Sequence, residues 1–507
     1  MWAGGVVGTD WNFTDQEFTL AGNPTAFAVG DNVTFNDSSA NTSVTISNNL
    51  TPTLMSVTGS QSYTFSGPNG LTGVAQLVDG SSGTMTILND NVHTGGTIIS
   101  NGATLSIGDG TSIKGSITGT VTVSPGGTLN YSSAASSVNA TLNIKNVLAG
   151  SGTVNFSEGA GATYLTGLSL ISSNFNGTIN IQGFTRLHAN DNNAGYAFGN
   201  GSTVNVPAGT QAWLDRSGTS YNNTFNIAGT GWIGLALPTG AMSLFACTVN
   251  GPINLLADAR IGGTINGGTI QSVISGPYQL QVFGTTNSYV LIMGPTNGSP
   301  QSYNSTLITA GSIQAANSNA ISSGPLTLDS GGDMRVNGNT ITVSNLSGIN
   351  SGAVTLIEGP RVRNMHATIG GTLRVGTDDT STTFDGTFSD GAAASFGLTK
   401  IGAGTLTLTA VSTNTGEVTV TGGTIAMSGS GAFTKASQII AGSGAFYDVT
   451  GAGGTLTLNS GQTLRGGGTV NGILVASAGS AVAPGLPMGT LTVSGNATVN
   501  GIYSKLH

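Results

Sequence analysis

The sequence predicts an all-β fold: a right-handed parallel β-helix, or β-solenoid, of roughly 20 rungs when its length is divided by the repeat period. Three observations carry that prediction. First, 81 of 507 residues are glycine and only 7% are charged, while 38% are hydrophobic. That mixture suits a repetitive β structure with Ser, Thr and Asn outside, and it excludes disorder driven by charge. Second, a Thr-apolar-Asn triplet recurs at Thr128-Leu129-Asn130, Thr153-Val154-Asn155, Thr178-Ile179-Asn180 and Thr203-Val204-Asn205, with successive threonines 25 residues apart. A fixed period of this size marks a solenoid. Third, apolar residues alternate with a period of 2 and not 3.6, and glycine recurs too often for helices, where each costs about 1 kcal/mol.

Residues 1–60 are expected to form an N-terminal capping segment with the first rungs. They hold Trp2, Trp11, the GDNVTF run at 30–35 and an alternating SVTIS run at 43–47. Large aromatic residues suit the covering of an open β edge. The competing expectation is that the two tryptophans bind a partner at the surface.

Residues 61–395 read as the solenoid proper. From Gly95 onward, GGTIIS, GATLSIGDG, GTVTVSPGGTLNY, GSGTVNF, GTINI and GSTVNV follow one another. Stacked in register, Leu129, Val154, Ile179 and Val204 would form an inward column, and the asparagines would hydrogen-bond from rung to rung. Further triplets at Thr248-Val249-Asn250, Thr264-Ile265-Asn266, Thr469-Val470-Asn471 and Thr498-Val499-Asn500 extend the pattern with looser spacing.

The stretch 184–300 departs most from the simple repeat, and longer solenoid loops commonly project from one face and carry binding. It contains Phe184-Thr185-Arg186-Leu187-His188, an NDNN run at 190–193, Trp213, Asp215, Arg216, Tyr221 and Trp232. The candidate ligand site is therefore a shallow glycan contact. Trp213, Tyr221 or Trp232 would stack on a sugar ring while Asp215 and Arg216 bond its hydroxyls. The competing expectation is that these aromatics fill the core.

Residues 396–507 are C-terminal rungs whose clearest portion is 397–433. Two alternating runs, TLTLT at 405–409 and EVTVT at 417–421, would turn Leu406, Leu408, Val418 and Val420 inward. Gly397, Leu398, Thr399, Lys400, Gly402, residues 404–408, Asn414, Thr415, Gly416, Thr419, Val420, Gly423 and Thr424 match a GLTKxGxGTLTL…NTYTGxTTV…GTL pattern. This stretch resembles the β-strand repeat of bacterial autotransporter passenger regions, which are parallel β-helix surface proteins. Thr413 and Ile425 depart from the pattern. The W…W…GDxVTF opening and the APG corner at 483–485 are similar to segments of the same proteins, with Leu486 and Met488 departing. The resemblance implies a secreted or outer-membrane, cell-surface location, as part of a larger bacterial precursor, and a role as stalk, scaffold or adhesin. Lys400 and Glu417 are expected at solvated rung edges.

Other classes fit poorly. A net charge of −8 with 13 scattered lysines and arginines disfavours nucleic acid. The single cysteine, Cys247, excludes an internal disulfide and a CxxC site. No apolar run approaches a membrane helix, and the first residues lack the basic and apolar regions of a signal peptide. His93, His188, His366 and His507 stand apart, so neither a metal site nor a cofactor is expected. Gly108-Asp109-Gly110 and the 190–193 run read as turns before they read as ion ligands. The enzyme alternative is a polysaccharide lyase or glycoside hydrolase, a chemistry that needs paired carboxylates. Its candidates are Asp378 and Asp379, with Asp385 and Asp390, but neighbours on a strand point to opposite faces unless the backbone bends. The expected protein is non-catalytic, with a glycan or other cell-surface ligand as partner. A further alternative is an extracellular fibre that associates through its terminal rungs.

Overall fold

The structure is a computed structural model, and it describes all residues except 5–7, 112–114, 134–142, 145, 159–164, 169–171, 184, 190–195, 233–238, 287, 350–358, 486–488 and 505–507. Among the described residues every regular element is a β-strand, and nearly all pair in parallel with the strand one turn earlier and one turn later. The fold is a parallel β-solenoid of about 18 turns. That is slightly fewer than the period suggests, because some turns are longer, such as the one that brings Met242 onto Ala212. The chain divides into two compact units, Met1–Asn254 and Leu255–His507.

The first unit shows how the triplets work. Strands Thr104–Ile107, Thr128–Ser133, Thr153–Glu158, Thr178–Gly183, Thr203–Val206 and Thr224–Gly229 stack with their threonines aligned. Leu105, Leu129, Val154, Ile179, Val204 and Phe225 fill one inward column, each fully buried. On the outward side two residues' worth of polar groups form ranks. Asn155 donates to Asn130, Asn180 to Asn155, Asn205 to Asn180, Asn226 to Asn205 and Asn254 to Asn226, at 2.7 to 2.8 Å. Each amide thus satisfies its neighbour, so the ladder needs no charge.

At the N-terminal end, strand Phe18–Leu20 pairs antiparallel with Asn23–Thr25. Trp2 and Trp11 are fully buried. Trp2 packs against Phe18 and Phe35 at 5.2 and 5.4 Å, and Trp11 against Phe18, Phe27 and Phe35 at 5.3 to 5.7 Å. Neither indole presents a face to solvent, so surface binding by these tryptophans is ruled out by burial.

In the second unit, strands Phe396–Lys400 and Thr405–Leu408 of one rung pair with Val418–Val420 and Thr424–Ser428 of the next. Leu398, Leu406, Leu408, Val418, Val420 and Ile425 point inward and are buried, as the alternation requires. Glu417 is exposed, but Lys400 is not. It occupies the inward row between Val375 and Val420 and is only 1% exposed. Its Nζ curls to the corner and donates to Ile401 O at 2.6 Å and Gly402 O at 3.0 Å. The expected solvated edge is thus a buried corner clamp.

Two other triplets also differ from expectation. At Thr264-Ile265-Asn266 there is no strand: Asn266 takes φ 48° and Ile265 is 44% exposed, so this copy is a turn that the left-handed tolerance of Asn makes accessible. Val499 keeps the inward register opposite Ala476 but is 36% exposed. Val470 follows the rule and is fully buried.

Candidate functional site

Strands Arg186–Ala189, Gln211–Leu214 and Met242–Leu244 stack in parallel, with Leu187, Ala212 and Met242 aligned, then Ala189 with Leu214 and Leu244. These side chains fill the interior. The alternate positions face the other way, and the register sets His188 beside Trp213 and Arg186 beside Gln211. The His188 and Trp213 rings stack at 4.4 Å with 25° between planes. The Arg186 guanidinium lies 4.1 Å from the Trp213 ring centre and 5.5 Å from that of Trp232, within reach of a cation–π attraction. Arg186 Nε donates to Gln211 Oε1 at 2.7 Å, and Gln211 Nε2 donates to Thr239 Oγ1 and Gly240 O. Asp215, one residue beyond its strand, meets His188 Nε2 at 3.0 Å.

Burial controls the electrostatics here. It lowers the Arg186 pKa to about 10, with the Asp215 charge opposing. It also lowers His188, while the Asp215 hydrogen bond pulls the other way and Arg186 adds to the lowering. The nearby Cys247 thiol is 2% exposed and pushed up to about 12 by burial, so it is a poor nucleophile.

Of the five residues expected to bind a ligand, the structure joins three. Trp213 and Asp215 are half-buried and lie together at the rim, and Trp232, 3% exposed, reaches the same cluster through Arg186. Arg216 follows in the adjoining turn, where its carbonyl accepts from the Thr219 amide at 3.2 Å. Tyr221 is different. It is fully buried, aligned with Val249 and packed 6.2 Å from the Phe198 ring, so its ring fills the core and does not face a sugar. Arg186 and His188 belong to the cluster although the sequence reading assigned them no role. The available signal was the 25-residue offset, which sets 186 opposite 211 and 188 opposite 213. Phe184, the 190–193 run, Leu486, Met488 and His507 lie outside the described residues.

Three of the four carboxylates weighed for catalysis serve turns, and the fourth, Asp385, is exposed. Asp378 accepts from Thr380 N and Oγ1 and from Asn345 Nδ2, and its pKa is lowered because these bonds outweigh its burial. Asp379, at φ 59°, accepts from Ala403 N on the next rung. Asp390 accepts from Phe396 N and Thr415 N. Asp109 caps its own turn through Thr111. Among the described residues no group of three or more His, Cys, Asp and Glu converges, and no helix is long and apolar enough to cross a membrane.

Comparison with known proteins adds one similarity. Over 116 residues, 22% of this chain, the sequence is 39% identical to the adhesin BmaC autotransporter of Brucella suis biovar 1 (strain 1330). The matched segment spans 3% of that protein's length. No protein-family model matches, and no solved structure matches. The similarity and the β-solenoid together support the resemblance to autotransporter passenger β-helices.

Proposed function

We propose that the chain is a non-catalytic, secreted or cell-surface β-solenoid that serves as a stalk, scaffold or adhesin. The observation that carries this is the similarity to an autotransporter adhesin on a fold of the matching kind. Asp378, Asp379 and Asp390, considered for catalysis, are held in turn and rung-to-rung hydrogen bonds, which favours a structural part for them. The aromatic segment at 1–60 acts as the cap of the first rungs, residues 61–395 as the shaft and 396–507 as further rungs of the autotransporter type.

Glycan contact, in this reading, belongs to the rim around Trp213, Asp215 and Arg216. Trp232 and Arg186 back the Trp213 ring, and Tyr221 supports the site from the core. A glycan array probed with the purified chain tests it. Wild type is expected to retain a defined set of glycans, and Trp213→Ala is expected to lose about tenfold in affinity, the size of one stacking contact. An array with no binding at all would leave the spacer role alone.

A second reading is a self-associating fibre. A strand edge left unpaired can template another chain. Electron microscopy showing only single particles at high concentration would remove it.

A further inference from the structure

In the first unit, seven strands of one sheet stack without a slip in register: Thr84–Ile87, then the six from Thr104–Ile107 to Thr224–Gly229. The residue that opens each strand is a threonine, from Thr84 to Thr224. Two positions on, the next column runs through Thr86 and Ser106 and then through asparagines, from Asn130 to Asn226. The residues between the columns, from Met85 to Phe225, point inward and are fully buried, so strand parity turns both polar columns outward. Every side chain of the two columns is half-buried, and not one is charged.

The columns differ in how their polar groups are used. The amide column is closed on itself, each asparagine donating to the one before and Asn130 to Ser106 Oγ at 3.1 Å. The threonine column is open: among the described residues none of its seven hydroxyls has a hydrogen-bond partner within the protein. Threonines outside the strands behave otherwise. Thr72, Thr94 and Thr118 donate to Leu50 O, Gly73 O and His93 O at 2.7 to 3.3 Å. Nor is the array a general habit of outward positions. On another sheet of the same unit the register aligns Thr34, Ser56, Val78, Ile98, Thr122 and Ala149. In the second unit one outward column runs Arg374, Thr399, Thr419, Ile440 and Arg465.

Parallel stacking sets the dimensions. The hydroxyls recur about 5 Å apart from rung to rung, the second column stands about 7 Å away along the strand, and the array is roughly 30 Å long. Threonine is β-branched and stiff at χ1, so each hydroxyl and methyl is held with little rotamer freedom. A free hydroxyl on such a face binds water. Seven in register hold a row of waters at the rung spacing, bordered by methyl groups. The oxygen lattice of ice repeats at distances close to both spacings, and its surface, like the array, carries no charge. A linear glycan is the other ordered neutral ligand. It would engage one column and leave the second idle, and no aromatic residue in either column offers a sugar ring a stacking surface.

We propose that this two-column array binds ice, with the threonine column carrying an ordered layer of water that merges with the crystal and the amide ladder fixing the second row. Each contact is weak, but a rigid scaffold joins seven rungs of them, so little ordering remains to be done on binding. The proposal does not rest on the glycan reading of the Trp213 rim.

The test grows ice slowly in a dilute solution of the whole chain with albumin as a co-dissolved control, and measures each protein in the ice and in the liquid. Wild type is expected to be enriched in the ice and albumin excluded. Thr178→Lys plants a charged stem in the middle of the array and should lower enrichment to the albumin level. Thr122→Lys makes the same change on the other sheet and should leave it unchanged, as should Trp213→Ala. Thermal melts confirm that each variant is folded, and Thr203→Lys repeats the test if Thr178→Lys is not. Exclusion of wild type from ice overturns the proposal. So does a folded array variant that stays enriched, or a Thr122→Lys protein that loses as much. Retention of wild type on microcrystalline cellulose that Thr178→Lys abolishes would give the face to a polysaccharide and overturn it as well.

Discussion

Lys400 is the residue whose chemistry departs furthest from its surroundings, an ammonium in a row of valines. It is tolerated because its tip leaves the row and reaches the corner carbonyls, and Gly376 makes room: at φ 119° a side chain there would collide with Ile401 O and crowd Nζ. Burial lowers the Lys400 pKa, with Asp379 and Asp378 opposing. Lys400→Met keeps the volume and removes the clamp, so two carbonyls lose their donor. We expect a loss of about 1–3 kcal/mol in urea unfolding, the cost of unmade buried hydrogen bonds; an unchanged midpoint would show the clamp to be idle. Histidine gives a second prediction at this scale. His93 is fully buried with its Nε2 3.1 Å from Thr97 Oγ1, and burial lowers its pKa from 6.5, as it does for His188. The unfolded chain therefore takes up protons first as pH falls below 6.5, and stability drops from there toward the folded pKa values. Urea midpoints measured from pH 7 to 5 should fall, and His93→Gln should flatten part of that slope.

The rung strand is the element that repeats, and its two faces contribute unequally. Ile179 sits in the dry column, where truncation to Ala removes packed atoms and leaves a cavity, at about 2–5 kcal/mol. Asn180, one position on, is half-buried and both donates to Asn155 and accepts from Asn205. Asn180→Ala breaks two links that water can partly replace, so about 1 kcal/mol is expected. Urea titrations of both variants check the order; a larger loss at Asn180 would make the amide ladder, and not the column, the principal support. This division explains what was legible. The triplets announced the column, the ladder and their register because a period-2 pattern repeated every 25 residues admits one stacking that buries every apolar centre. Thr264–Asn266 carried the same letters yet became a turn, since a triplet alone does not say whether a strand lies one rung away to receive it. The site was half legible for the same reason. Trp213 and Asp215 stood out by type, whereas Arg186 and His188 join them only through cross-rung register, and Tyr221 looked available until the inward parity of its strand was known.

At the scale of the whole chain, each rung touches chiefly the rungs before and after it, so stability is a sum of rung terms and nearest-neighbour interfaces. Cooperativity then depends on how uniform those interfaces are. They are not uniform here, because the two compact units hold different contents: the first has the aromatic cluster and the asparagine ladder, the second the ion pairs of Asp333 with Arg335 and Arg363 and the Lys400 corner. Unfolding in urea is therefore expected to depart from two-state behaviour, with tryptophan fluorescence and far-ultraviolet circular dichroism giving non-coincident curves. All four tryptophans, Trp2, Trp11, Trp213 and Trp232, lie in the first unit, so fluorescence follows that unit while circular dichroism follows both. Salt adds a second axis to the same experiment. With 7% of residues charged, screening has little to act on, and the fluorescence transition should move little between low and 1 M salt, where charges more than about 3 Å apart are screened. Coincident curves at every salt concentration would mean that the rungs, unlike as they are, melt as one cooperative body.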